Sequence, residues 1–230
     1  MSLAKYTWAS IRDALERTIC TVPRLWLVSS ALIFLLAASW SVVMPYFAAN
    51  QEVSTVQRAA AVVRGDLLGD AVKDQPFARI QEVPPSLAQL KPPCFVIDQK
   101  LTPSCQQFGV VANGPKTALV TDGAESPAYY AVIGLPTLVD TSPQVVLLMR
   151  LLGAALIALL AGLIPVAVRA VSRRGWLEYA TMIAITPAVV YGAGTLGVDG
   201  LLLAASVLLW ISLGGLLIGV ARSAYTRNLL

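Results

Sequence analysis

The 230-residue sequence contains no histidine and only three cysteines. Without histidine, the Ser-His and Cys-His pairs that activate nucleophiles in many hydrolases cannot form. No two cysteines form a CxxC metal motif, and no glycine-rich loop that would cradle nucleotide phosphates is present. We therefore expect no metal and no other cofactor, and we set aside soluble hydrolase chemistry.

Charge is scarce as well, since 13% of the residues are charged and 57% are hydrophobic. Soluble domains carry about 25% charged residues, so this chain is too apolar for an ordinary soluble protein. Its net charge of +4 comes from small basic groups beside apolar blocks. We therefore expect membrane lipids as partners, and no nucleic acid.

Three apolar blocks are long enough to cross a bilayer, which takes about 20 residues per helix. They are Leu25–Tyr46, Val145–Val171 and Trp176–Ala221. The third is about twice the length of one span and divides where glycines cluster around Asp199. The predicted architecture is an α-helical integral membrane protein with spans at residues 25–46, 145–171, 176–196 and 199–221. The first block begins too late for a cleaved signal peptide and is expected to be a retained anchor.

Basic residues cluster beside the span ends on one side of this arrangement: Lys5, Arg12, Arg17 and Arg24 precede the first span, Arg169, Arg173 and Arg174 follow the second, and Arg222 and Arg227 follow the fourth. Residues 46–144 instead carry nine acidic side chains against seven basic ones. By the positive-inside rule, both termini (residues 1–24 and 222–230) are cytoplasmic. Residues 47–144 then form an extracytoplasmic loop domain on the outer side of the plasma membrane.

An amphipathic helix is expected before the first span. Trp8, Ile11, Leu15 and Ile19 recur at helical spacing, and Pro23 is expected to end the helix. It either lies in the cytoplasmic interface of the membrane or packs on a partner subunit.

The loop domain is predicted to begin with a second amphipathic helix, capped by Asn50 and lying parallel to the membrane surface. Its apolar stripe comprises Val53, Val56, Ala60, Val63 and Leu67, while Arg58 and Arg64 lie elsewhere on the helix.

A small α+β subdomain rich in loops is expected after this helix, between Pro76 and Pro127. Its short β-like runs are Cys94–Ile97, Gly109–Ala112 and Ala118–Thr121, and Asn113-Gly114 indicates a hairpin tip. Because this compartment is oxidising, we expect a Cys94–Cys105 disulfide and a free Cys20 on the cytoplasmic side.

Three further features are candidates for function. Tyr129 and Tyr130 belong to a short apolar segment that suits the membrane interface. Arg150, near the outer end of the second span, either extends to the headgroups or contacts an anionic lipid phosphate or a carboxylate such as Asp140. Asp199 either caps the fourth span or faces an external site.

Small residues on the span faces permit close helix contacts, and the candidates are Gly153, Gly214 and Gly215.

Three stretches carry a resemblance to a known family: Asn50-Gln-Glu52 with Arg58-Ala59-Ala60 and Gly65; Ser126-Pro127-Ala-Tyr129-Tyr130 with Gly134-Leu-Pro136 and Met149-Arg150-Leu151; and Thr186-Pro187 with Tyr191, Gly194 and Asp199-Gly200. Their order resembles the amino-terminal half of a family of uncharacterised actinobacterial polytopic membrane proteins. That family is distantly similar to C-type glycosyltransferases, which use polyprenyl-phosphate sugars.

The departures from this family pattern matter for function. An Asp-Glu pair followed by a histidine reads Gln51, Glu52 and Thr55 here, an Asn-Pro pair near the hairpin tip reads Gly197-Val198, and the second half is absent. The chain thus resembles a shortened, degenerate relative.

The favoured function is a non-catalytic subunit or assembly partner of a larger cell-envelope membrane complex. The alternative is a cell-envelope glycosyltransferase, or half of one, in which Glu52 and Asp199 are catalytic and Arg150 binds the lipid phosphate. A transporter is disfavoured, because the spans contain almost no charge.

Overall fold

The computed structural model describes residues 8–49, 51–98, 100–105, 116–121, 123–172 and 175–227, with side chains at most of these positions. In chain order, the elements are α1 (Trp8–Val43), α2 (Glu52–Val62), β1 (Asp70–Val72), β2 (Gln75–Glu82), α3 (Pro85–Ala88), α4 (Cys94–Ile97), β3 (Thr117–Val120), α5 (Pro127–Ile133), α6 (Val145–Ala161), α7 (Leu163–Val171), α8 (Gly175–Gly194) and α9 (Asp199–Arg227). Short 3₁₀ turns lie at Pro103–Cys105 and Leu135–Leu138.

The long helices form a bundle, which comprises α1 and α6 to α9. Helix α1 packs on α6 and α8, and α7 packs on α8 and α9. The bundle core is built largely from alanine, isoleucine and valine, and its buried members include Ala37, Ala154, Ile157, Ala158 and Ala193. Such small side chains let helix backbones approach closely, which is how helices associate within lipid.

Within the described residues, three helices are long and apolar enough to cross a membrane: Pro23–Val43, Val145–Val171 and Asp199–Leu217. These agree with the first, second and fourth predicted spans. Helix α8 covers 20 residues at the place of the third predicted span, but not all of its side chains are described. The fourfold span count therefore stays a prediction.

Pro23 does not end a separate amino-terminal helix. Helix α1 continues through it from Trp8 to Val43, so the predicted break is wrong. A proline removes one intrahelical hydrogen bond, but neighbouring helices in a bundle offset that loss. The side chains of the predicted stripe and of Cys20 lie outside the described positions.

The second predicted span is interrupted at Gly162, between α6 and α7. Pro165 explains the interruption, because its nitrogen has no hydrogen to donate to the carbonyl of Ala161 four residues earlier. The hairpin between α8 and α9 is as tight as its glycines predict. A Cβ added to Gly192 would lie 2.7 Å from the Cα of Gly200.

The described residues between 47 and 144 form a head domain at one end of the bundle. Its sheet has the order β1-β2-β3, with both strand pairs antiparallel. β3 confirms the predicted strand at Ala118–Thr121, whereas the hairpin of β1 and β2 was not predicted. The predicted strand and hairpin tip at 109–114 lie outside the described residues, as does the predicted cap Asn50.

Two local predictions for the head domain have opposite outcomes. The segment Cys94–Ile97 is a short helix rather than a strand. It follows Pro92-Pro93, and proline is common at the start of a helix because its fixed φ angle suits the first turn. The Cys94–Cys105 disulfide is present, with its Cα atoms 6.3 Å apart.

Helix α2 is not a surface helix with one apolar stripe. Nearly all of its residues are buried, including Glu52, Gln57 and Arg58. Its neighbours are α5, α3, β2 and β3, which surround it. Tyr129 and Tyr130 of α5 belong to this same core, at 6% and 1% exposure, so their predicted place at the membrane interface is wrong.

Candidate functional site

Arg150 and Glu52 form a buried ion pair where the head domain meets the bundle. Nε of Arg150 lies 2.6 Å from Oε1 of Glu52, and Nη2 lies 2.8 Å from Oε2. Both side chains have 0% exposure. The pair joins α6 to the first residue of α2, across 98 positions of sequence.

The other donors of Arg150 bind the carboxyl end of α1. Nη1 donates to the carbonyls of Ser41 (3.0 Å) and Met44 (2.8 Å), and Nη2 donates to that of Pro45 (2.8 Å). A guanidinium has five N–H groups, and all five have acceptors here. Arg150 thus satisfies the carbonyl of Ser41, which lacks a helical donor because Pro45 has no N–H, and it also binds two carbonyls just beyond the end of α1.

The contacts of Arg150 decide between the alternatives that the sequence left open for this residue. Arg150 does contact a carboxylate, but that carboxylate belongs to Glu52 and not to Asp140. Asp140 instead accepts hydrogen bonds from the backbone N–H and the hydroxyl of Ser142. These bonds hold the pKa of Asp140 below its usual range.

A second buried arginine, Arg58, organises the interior of the head domain. It donates to the side-chain oxygen of Gln81 at 3.3 Å and to the carbonyl of Glu125, and its guanidinium lies 5.1 Å from the ring centre of Tyr130. Gln81 in turn donates to the carbonyl of Asp66 at 2.9 Å. Arg58 therefore connects α2, β2 and α5.

A small polar cleft lies where α2 and α5 approach the α8–α9 hairpin. Its volume is about 30 Å³, which suits a water molecule or two rather than a substrate. Its polar lining side chains are Gln51, Thr55, Glu125, Tyr130 and Asp199. Glu125 accepts a hydrogen bond from the Tyr130 hydroxyl.

The cleft brings together positions that the family resemblance selected separately. Gln51 and Thr55 belong to the first motif, Tyr130 to the second and Asp199 to the third, and they meet here. Glu52 lies beside them but its carboxylate is held by Arg150. Glu125 was missed by the sequence analysis, although it directly precedes the Ser126-Pro127 motif.

Burial dominates the environment of Tyr129, the neighbour of this cleft. Desolvation raises the pKa of its phenol, and the charge of Asp199 adds to that rise. A Cβ added to Gly153 of α6 would lie 3.1 Å from the Tyr129 hydroxyl. Gly153 is therefore a packing position within this chain, against α5.

The other two predicted packing glycines differ from each other. A Cβ added to Gly215 would lie 2.6 Å from Cγ2 of Val171, so Gly215 lets α9 approach α7. For Gly214, no described atom lies within 4 Å of such a Cβ. Trp210 and Leu217, one turn to either side, are 72% and 71% exposed.

A much larger cavity, the head groove, runs along the other side of α2. Its volume is about 1070 Å³, and its walls come from the α1–α2 connection, α2, α3–α4 and β3. The lining combines apolar and neutral polar side chains with two charged ones, Glu52 and Lys91. Its other members are Phe47, Ala49, Gln51, Val53, Ser54, Gln57, Ala88, Gln89, Leu90, Pro92, Pro93, Val96, Ala118, Leu119 and Thr121. Among the side chains described, no group of three histidine, cysteine, aspartate or glutamate residues could hold a metal ion.

The chain thus has an apolar helical bundle and an α+β head domain, which a buried ion pair joins. This architecture is that of a multi-helix membrane protein. The chain belongs to the family of predicted membrane proteins designated DUF2142, whose model matches residues 34–221. The resemblance to a family of membrane proteins is thereby confirmed, whereas the distant similarity to glycosyltransferases stays a prediction. No curated protein and no solved structure matches the chain.

Proposed function

We propose that this protein is a non-catalytic accessory subunit of a larger cell-envelope membrane complex. The observation that carries this proposal is the engagement of Glu52. A carboxylate that serves as general base or metal ligand must reach its target. The carboxylate of Glu52 is fully buried and bonded twice to Arg150, so its role is to hold the head domain on the bundle.

The exposed face of α9 supplies a surface for assembly. Trp210, Gly214 and Leu217 follow one another at helical spacing and lie on the same side. The two large side chains are mostly exposed and flank a glycine that has open space above it. A notch of this kind admits a ridge from a neighbouring helix.

Replacement of Gly214 by leucine tests the assembly role. The added side chain fills the notch, so Gly214→Leu should separate the protein from its complex while span hydrophobicity stays high. The measurement is co-purification of the epitope-tagged protein in mild detergent. If the same set of proteins co-purifies with Gly214→Leu at unchanged yield, this surface has no role in assembly.

Functional complementation then tests catalysis directly. Asp199→Asn and Glu125→Gln keep side-chain shape and remove charge at exposed positions. An accessory subunit should tolerate both changes. Glu52→Gln does not serve this purpose, because it would disrupt a buried ion pair whatever the function is.

The proposed topology places both termini in the cytoplasm and the head domain outside. Lys73 lies in the exposed turn between β1 and β2. In a Cys20→Ser background, a cysteine introduced by Lys73→Cys should react with an impermeant maleimide on intact cells. If the cysteine reacts only after lysis, the head domain lies on the cytoplasmic side and the proposed topology is wrong.

A second candidate is a glycosyltransferase that uses a polyprenyl-phosphate sugar. The observation in its favour is the convergence of Glu125 and Asp199 on one polar cleft with Tyr130. General acid–base catalysis contributes about 10²–10⁴-fold in rate. Under this hypothesis, Asp199→Asn or Glu125→Gln abolishes complementation although the complex still assembles.

A further inference from the structure

β3 forms one edge of the described sheet. On its inner side, the backbone N–H of Val83 donates to the carbonyl of Lys116 at 2.8 Å, and the same register continues through the strand. Hydrogen-bonded pairs alternate along an antiparallel ladder. Ala118 and Val120 therefore bond to β2, and Leu119 directs its N–H and C=O to the outer edge.

Thr121, the next residue of this edge whose backbone N–H points outward, has a hydrogen-bond partner. The N–H of Thr121 donates to the hydroxyl of Ser54 on α2 at 2.9 Å. At Leu119, no described group accepts from the N–H or donates to the carbonyl. Leu119 lines the head groove. The groove wall thus presents one backbone donor and one backbone acceptor side by side.

The remaining polar groups of the groove complement a polypeptide backbone. Nε2 of Gln89 is buried and has no partner among the described residues. The charge of Glu52 is compensated by Arg150, which leaves exposed Lys91 as the charge at the rim. A suitable ligand therefore offers backbone hydrogen bonds, apolar side chains and a negative charge.

We propose that the head groove binds an extended segment of a partner polypeptide, which adds to β3 as a further strand. The segment would carry an acidic side chain or a terminal carboxylate that lies near Lys91. Strand addition uses the backbone for affinity and alternate side chains for selection. This inference deepens the proposed assembly role, since it assigns the head domain its own kind of partner.

The test uses the full-length protein in nanodiscs and a phage-displayed library of short peptides. Selected peptides are synthesised, and their affinity is measured by fluorescence anisotropy. Leu119→Pro removes the outward N–H and leaves the bonds between β2 and β3 intact, as proline does on a strand edge. It should weaken binding by at least about tenfold.

The matched control is Leu119→Ala, which truncates the side chain and keeps the N–H. It should bind the peptide within about threefold of the unchanged protein. Methylation of alternate peptide nitrogens in the probe should reproduce the loss seen with Leu119→Pro. Equal thermal unfolding of the two variants shows that the domain has kept its fold.

Four results would overturn the inference. The library yields no binder, or a selected peptide tolerates Leu119→Pro. An array of neutral oligosaccharides yields a ligand whose binding depends on Gln89 alone. Slow hydrogen exchange at the Leu119 amide without ligand shows that another part of this chain already covers the edge. Gly214→Leu measures membrane assembly separately, so either proposal can fail alone.

Discussion

The bundle and the head domain are stabilised in different ways. The bundle core is closely packed alanine and branched aliphatic residues, whereas the head domain buries Glu52, Arg58, Gln81 and Thr137 among its apolar side chains. Apolar packing tolerates a change of charge at its surface but not a change of volume. A buried polar network has the opposite sensitivity, because each lost partner leaves another group unsatisfied. Substitutions of charge and of volume should therefore separate the two regions.

The largest effect is expected from Arg150→Met, because it leaves the Glu52 carboxylate buried without a counter-ion. Loss of one partner of such a pair destabilises by about 3–5 kcal/mol. Thermal unfolding in detergent, followed by tryptophan fluorescence, measures the change. The control Lys73→Met, in an exposed turn, should stay within about 0.5 kcal/mol.

The double variant Glu52→Leu with Arg150→Met sharpens this result. Replacement of a whole buried ion pair by apolar residues is often nearly neutral. It should therefore recover much of the lost stability. If the double variant is as unstable as Arg150→Met, the bonds from Arg150 to the end of α1 matter more than the ion pair.

A smaller effect is expected from replacement of Cys94 and Cys105 by serine. A closed loop of this length contributes about 3 kcal/mol in the chain-entropy model. The loss should be confined to the head domain, so proteolysis there should accelerate while the bundle resists. Cys20→Ser is the control, and equal proteolysis in both regions would contradict the expected independence.

Gly215→Leu should affect the bundle and leave the head domain unchanged. The added side chain would collide with Val171, and overpacking of this kind costs about 1–3 kcal/mol. Gly214→Leu is the matched control, since its side chain enters open space. Similar unfolding temperatures for the two variants would show that α7 and α9 are not in close contact.

The smallest effect concerns Asp140, at the end of the head domain. Its folded-state pKa is lowered by the hydrogen bonds from Ser142, so its stabilising contribution is complete at neutral pH. That contribution is lost as the pH falls through the lowered pKa. Asp140→Asn should therefore lower the unfolding temperature slightly at neutral pH and not in acid. If the difference in unfolding temperature instead grows in acid, the pKa of Asp140 is raised by folding and not lowered.

The sequence was informative wherever structure depends on local length and composition. The apolar blocks predicted the positions of three spans, and the glycines around Asp199 predicted the hairpin between α8 and α9. The spacing and compartment of Cys94 and Cys105 predicted their disulfide. Each of these signals lies within a few residues of the feature it predicts.

The sequence was uninformative where structure depends on distant pairing. Glu52 was interpreted as a candidate catalytic carboxylate, and Arg150 as a residue that extends to the headgroups or contacts a lipid phosphate or a carboxylate such as Asp140. Neither shows a periodic signal for a partner 98 positions away. Helix α2 looked amphipathic because Arg58 interrupts its apolar residues. The head domain instead buries that arginine against Gln81 and Tyr130.

The contacts of Arg150 also have a mechanical consequence. Because one side chain of α6 holds the last carbonyls of α1 and the first side chain of α2, these three elements turn together. A bilayer thicker or thinner than the apolar spans is accommodated in part by helix tilt. A tilt of α6 would therefore rotate the head domain relative to the membrane. We expect the angle between the head domain and the membrane surface to change with the thickness of the bilayer.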